Sequence, residues 1–157
     1  MIKHPDDRRQ VFGKSLGMTA WLLRRYTQQL LDEAGLALSF DHAVVILKTG
    51  DAGELPQHEI VACLARDKTS TTRWLDDLEK RGLVKRKTAR EDRRHKLVSL
   101  TARGEKLRGP IQDALDEAHR CALKGIGARD KTCVEKVLKS VRENLSQVLS
   151  STGCVEG

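Results

Sequence analysis

Seven basic side chains fall within twelve residues: Lys85, Arg86, Lys87, Arg90, Arg93, Arg94 and Lys96. Two acidic ones, Glu91 and Asp92, share the stretch, so its balance is +5 out of +7 for the whole chain. Positive charge gathered at one place attracts a phosphate backbone. Just upstream, the segment DKTSTTRWLDDLEKR has two characters. Thr71, Trp74, Leu75 and Leu78 recur at spacings of three and four, the signature of a buried helix face. Lys68, Thr69, Ser70, Thr72 and Arg73 supply hydroxyl and cationic groups that can donate to phosphate or to base edges. Catalysis has no comparable footing, because the chain holds no phosphate-binding glycine loop, no GxSxG elbow and no HExxH pair. No enzyme is expected. Cys63, Cys121, Cys133 and Cys154 form no CxxC pair, and the histidines show no ligand spacing, so neither metal nor other cofactor is expected. Cys121 and Cys133 flank one interhelix turn and are the candidates for thiol oxidation, a second possible means of control.

The elements that must position these groups are mostly helical. With 157 residues, 39% hydrophobic and 32% charged, the chain suits one ordinary domain with a packed core. No apolar run nears the roughly 18 residues that span a bilayer, and the N-terminus MIKHPDDRRQ lacks the apolar stretch of a signal peptide. A cytoplasmic protein that does not enter membranes is expected. Phe12, Leu16, Ala20, Leu23, Tyr26 and Leu30 line one face of a first helix that stops at Gly35. Ser39 or Asp41 caps a second, which runs to Gly50 and Gly53. Pro56 suits the first turn of a short third helix carrying Ile60, Val61 and Leu64. Asp67 caps a fourth, ended by Gly82. Two short strands, one from Leu83 and one from His95 to Leu100, flank the polar turn TAREDRR as a β-hairpin. A helix with Leu107, Ile111, Leu115, Ala118 and Ala122 follows, and Pro110 lies near its start. After Gly125 and Gly127, Asp130 caps a last helix with a stripe of Val134, Val137, Leu138, Val141, Leu145 and Val148. The order is that of a mainly α protein with a small β-hairpin wing (α+β), a winged helix–turn–helix. Its second helix of the pair fits a major groove, and a basic hairpin beside it reaches a minor groove.

The segments LARDKTSTTRWLDDLEKRGLVKR and REDRRHKLVSLTARGEKL resemble the DNA-binding core of the MarR family of bacterial transcription factors. Three motifs carry the resemblance: Leu78-Glu79-Lys80-Arg81-Gly82-Leu83-Val84, Asp92-Arg93-Arg94 and Leu100-Thr101-Ala102-Arg103-Gly104. It implies a homodimer whose terminal helices interlock, with a dimerisation helix in 1–36, the winged region in 37–104 and dimerisation helices in 105–157. It further implies double-stranded DNA as partner, read at a pseudo-palindromic site, with repression the expected sign. Lys68, Thr69, Ser70, Thr72 and Arg73 match the positions that face DNA; Arg90, Arg93, Arg94 and Lys96 are the wing's contacts, with Asp92 orienting Arg94. The resemblance also implies a small aromatic or phenolic effector. Trp21, Arg25, Tyr26 and His42 are its candidate residues, an aromatic wall beside a cation. Non-specific architectural DNA binding is the alternative role. Arg66, Thr71, Trp74 and Asp77 depart from the family's usual residues, which implies weaker or more salt-sensitive binding.

Overall fold

A computed structural model describes residues 5–64, 68–88 and 96–151. The elements are α1 (Pro5–Glu33), α2 (Phe40–Ala52), β1 (Glu54–Pro56), α3 (Gln57–Leu64), α4 (Lys68–Lys80), β2 (Val84–Thr88), β3 (Lys96–Leu100), α5 (Ala102–Glu105), α6 (Arg108–Ala122) and α7 (Ala128–Ser151). The chain divides into two compact units, Met1–His119 and Arg120–Gly157. Asp67, expected to cap α4, lies outside the described residues.

In the first unit, Leu31, Leu38, Val45, Ile46, Ile60, Leu75, Leu78, Leu83, Val84, Val98 and Ile111 form one buried cluster. It draws on α1, α2, α3, α4, β2, β3 and α6, so the winged region shares its core with the flanking helices. The C-terminal half of α1 is tied to the start of α2 by polar contacts. The Arg24 guanidinium forks onto the Asp41 carboxylate, donating from Nη1 to Oδ1 at 3.0 Å and from Nη2 to Oδ2. It also lies 4.6 Å from the centre of the Phe40 ring. The Gln28 amide accepts from the Phe40 N–H at 2.7 Å and donates to the Leu38 carbonyl at 2.9 Å. Ser39, one of the two expected caps, closes the N-terminus of α2 in a capping box with His42.

The sheet has three strands rather than the hairpin alone, in the order β1-β3-β2 with both pairings antiparallel. In β1, Glu54, Leu55 and Pro56 face Ser99, Val98 and Leu97. Pro56 therefore ends an edge strand, where a missing N–H is tolerated, and α3 begins one residue later. Two other expectations are corrected. Helix α7 starts at Ala128, which puts Asp130 inside its first turn rather than at the cap. A four-residue helix, α5, precedes α6, and Thr101 caps it by accepting from the Gly104 N–H.

The end of α4 fixes where the wing begins. Gly82 has φ +67, its N–H donates to the Glu79 carbonyl at 2.9 Å, and the Leu83 N–H donates to the Leu78 carbonyl at 2.9 Å. This is a Schellman motif, with buried Leu78 and Leu83 as its apolar pair. A Cβ at Gly82 would meet nothing within 4 Å, so the cost of a side chain there is conformational only. Gly82→Ala is expected to lower stability by about 1 kcal/mol, read as an earlier urea midpoint. An unchanged midpoint would show that the left-handed turn is not needed.

Candidate nucleic-acid interface

Helix α4 divides along the lines its sequence suggests. Thr71, Leu75 and Leu78 are fully buried, and Trp74 is half-buried beside them. On the outer side Thr69 and Arg73 are exposed, with Ser70 and Thr72 half-buried. The positive end of the helix dipole lies at this same N-terminal end. Lys68 begins the helix, but its side chain lies outside the described residues, as do Arg90, Asp92, Arg93 and Arg94. Lys85, on β2, and Lys96, on β3, are exposed on the described parts of the wing.

The C-terminal half of α4 carries the opposite charge, and its acids grip the framework. On β2, Arg86 donates from Nε to Glu79 Oε2 at 2.9 Å and from Nη2 to Asp76 Oδ1 at 2.5 Å. Its backbone N–H donates to Glu79 Oε1 at 3.2 Å. These bonds from Arg86 hold the Glu79 carboxyl below its ordinary range, and donating to Glu79 and Asp76 raises the guanidinium further. Lys87 reaches across β3 to Glu54 on β1, with Nζ 2.7 Å from Oε1. Two of the wing's seven basic residues are thus committed to carboxylates of the protein itself.

Asp77 lies 3.5 Å from Arg81 Nη1 and 3.7 Å from His42 Nε2. The imidazole is largely buried between α2 and α4. Its Nδ1 accepts from the Ser39 N–H at 3.4 Å, which puts the proton of the neutral ring on Nε2. Burial lowers the His42 pKa from its ordinary value; Asp77 and Asp41 pull it up and Arg81 pushes it down, and burial prevails. With the folded pKa below the unfolded one, the unfolded chain binds the extra proton first. Stability from this group is complete above the unfolded pKa and is lost as pH falls through the folded one. The difference in urea midpoint between pH 7.5 and pH 5.5 is therefore expected to shrink in His42→Gln. An equal difference in both proteins would rule out His42 as its source.

A cleft of about 410 Å³ opens beside the C-terminal half of α1, lined by Trp21, Arg24, Arg25, Gln28, Gln29, Asp32 and Phe40. The Arg25 guanidinium lies 5.2 Å from the centre of the Trp21 ring. Of the four candidate effector residues, the cleft brings together Trp21 and Arg25. Tyr26 is half-buried and not among the lining residues, and His42 sits at the α2–α4 contact. Cys121 is half-buried and Cys133 exposed, and neither is in a disulfide. Among the described residues no three His, Cys, Asp or Glu side chains group as a metal site, and no helix is long and apolar enough to cross a membrane. The Arg86 and Lys87 pairings and the whole Arg24–Asp41 contact were not evident in the sequence, since each joins residues from different elements.

The geometry has counterparts among known proteins. Residues 42–96, from α2 to the start of β3, match the family model described as MarR family. The apo form of wild-type MarR from E. coli is 25% identical with a TM-score of 0.69, the match covering 82% of this chain and 94% of that one. A cysteine-to-serine mutant of E. coli MarR complexed with operator DNA has a TM-score of 0.78 at 23% identity, over 88% of this chain and 99% of that one. A MarR-family transcriptional regulator from Listeria monocytogenes complexed with 26mer DNA has a TM-score of 0.79 at 24% identity, over 89% and 93%. The family match spans α4, β1 and β2 and reaches the first residue of β3, and the similarity of fold extends over most of the chain. The match over residues 42–96 makes this part of the chain similar to the MarR family, and the fold is that of transcriptional regulators of that family.

Proposed function

We propose that the protein is a homodimeric repressor that reads a pseudo-palindromic site, with α4 in the major groove and the wing in the minor groove. The observation that carries this is the two-sided α4, whose inner face is locked in the core while Thr69 and Arg73 stand exposed at its N-terminal half. Ser70, Thr72 and Lys68 complete the proposed groove contacts. Lys96, Arg90, Arg93 and Arg94 complete the wing, with Asp92 orienting Arg94. Operator DNA bound to a family relative of the same fold supports the mode of binding. A cytoplasmic location follows from a role on the genome.

The dimer would be built from 1–36 and 105–157. On α1, Val11, Phe12, Leu16, Met18 and Leu22 are exposed, and on α7 Val134, Val137, Leu145 and Val148 are exposed. Each is a large apolar face of the kind monomers rarely leave in water. An effector is proposed for the cleft that holds Trp21 and Arg25. An indole face with a stacked guanidinium suits a small aromatic anion such as a phenolic carboxylate.

The test is selection of duplexes by the purified protein from a random-sequence pool, followed by competition with random DNA at two salt concentrations. A regulator should prefer its selected site by about a thousandfold or more. Affinity that is the same for selected and random duplexes would favour an architectural role, and no binding at low salt would end the DNA reading. Arg73→Ala is expected to weaken the selected duplex by about 1–3 kcal/mol if the guanidinium reads a base. A loss shared equally by every duplex would make it a phosphate contact instead.

A further inference from the structure

The basic stretch from Lys85 to Lys96 invites the view that all its cations face DNA. The side chain of Arg86 is only 15% exposed, and its guanidinium is occupied by two carboxylates. Glu79 accepts from its backbone N–H and its Nε, and Nη2 donates to both Asp76 and Glu79. A guanidinium held this way is a rigid fork, fixed in plane and direction by its partners. The carboxylates stand on α4, one turn apart, and the arginine stands near the middle of β2. The joint therefore crosses from the element proposed to enter the major groove to the strand that leads into the wing.

We propose that Arg86 is a positioning residue for DNA reading, which sets the wing's angle to α4 through Glu79 and Asp76 and makes no contact with DNA. This rests on the DNA-binding reading above. Two facts support it besides the bonds. First, Asp76 and Glu79 are partly exposed acids on the reading helix, and unpaired they would repel the phosphate backbone. Second, the apolar core holds α4 and the base of β2 by Leu78, Leu83 and Val84, but that contact ends at Val84. Beyond it, Lys85 is exposed and Lys87 pairs with Glu54 on β1, whereas Arg86 ties the strand back to α4. Groove contacts made by two separate elements add their binding energies only when the spacing between them is set in advance.

The experiment measures affinity by fluorescence anisotropy for a duplex selected by the wild-type protein and for a scrambled duplex of the same composition, over a range of salt. The proteins are wild type, Arg86→Met, Arg86→Lys and the double variant Asp76→Asn/Glu79→Gln, each measured where its thermal unfolding curve shows it fully folded. Arg86→Met is expected to lose about tenfold on the selected duplex and little on the scrambled one. The slope of log affinity against log salt stays as in wild type. Arg86→Lys keeps the charge without the planar fork and recovers only part of the loss. The double variant distinguishes the two roles by sign. It removes two acids and keeps the arginine, so a DNA-contacting Arg86 would bind the selected duplex more tightly, whereas a positioning one loses selectivity as Arg86→Met does. A fall in the salt slope of about 0.9 in Arg86→Met, equal losses on both duplexes, full rescue by lysine, or unchanged selectivity would each overturn the proposal. Failure of the wild-type protein to select any duplex is a different result and would overturn the DNA reading itself.

Discussion

Gly104→Ala is expected to destabilise the fold by about 3 kcal/mol, because among the described glycines it has the closest backbone neighbour for an added methyl group. A Cβ at that position would lie 2.0 Å from the Leu83 carbonyl oxygen and 3.0 Å from its carbon. The obstacle is backbone, so no rotamer change can relieve it. Nor is the carbonyl free to swing away, because it accepts from the Thr101 N–H at 3.0 Å, and the Thr101 hydroxyl lies 3.2 Å from it while donating to the adjacent Gly82 carbonyl at 2.7 Å. The same hydroxyl accepts from the Gly104 N–H at 3.1 Å to cap α5. Making room for the methyl group therefore means parting α5 from the turn that joins α4 to β2. Urea denaturation of the purified variant checks this, and a loss under 1 kcal/mol would show that the close approach is not maintained. Gly104 and Gly82 are both called for by the chain, yet for different reasons: one by a neighbour's atoms, the other by its own φ.

Leu78→Ala should cost a comparable amount, about 2–5 kcal/mol. Leu78 is fully buried in the cluster that includes Leu75, Leu83, Val84 and Val98. Truncation leaves a hole between α4 and the sheet, and it also removes the apolar partner of Leu83 in the Schellman motif. DNA binding should fail together with the fold: normal where the variant is still folded, absent above its lowered midpoint. Arg73→Ala provides the contrast, with weaker binding at an unchanged midpoint because its exposed side chain supports no core contact. If Leu78→Ala lost binding while fully folded, the helix would be moving within an intact core, and the locked inner face of α4 would have to be reconsidered.

The helices were legible because their apolar residues repeat with the period of a helix, and Gly35 and Gly82 mark their ends. Periodicity reports that a face is apolar, not what covers it. Phe12 and Leu16 share the stripe of Leu23 and Leu30, yet they are exposed while Leu31 is fully buried. Strand β1 was not legible, since three residues ending in proline form no alternating pattern, and only pairing with β3 makes them a strand. In α4, the division into a buried and an outer face could be read from spacing alone. The role of Arg86 could not, because its partners are seven and ten residues away across a turn, and a sequence lists its charge with the wing's. Asp77 stood out as acidic where the family is often basic. The structure supplies its company, Arg81 and His42, and so the acid is no longer an isolated charge facing a polyanion.

The separation of charge along α4 also bears on how fast the protein can find its site. Arg73 and the positive end of the helix dipole lie toward one end, and toward the other lie Asp76, Asp77 and Glu79, offset by Arg86 and Arg81. In the field of a duplex such an arrangement feels a torque as well as a pull, so under the proposed mode of binding α4 would turn its N-terminal end toward the phosphates before any contact forms. Fewer collisions are then wasted on wrong orientations. Because the torque acts over a Debye length of about 8 Å at physiological salt, added salt slows arrival even where the final contacts are unchanged.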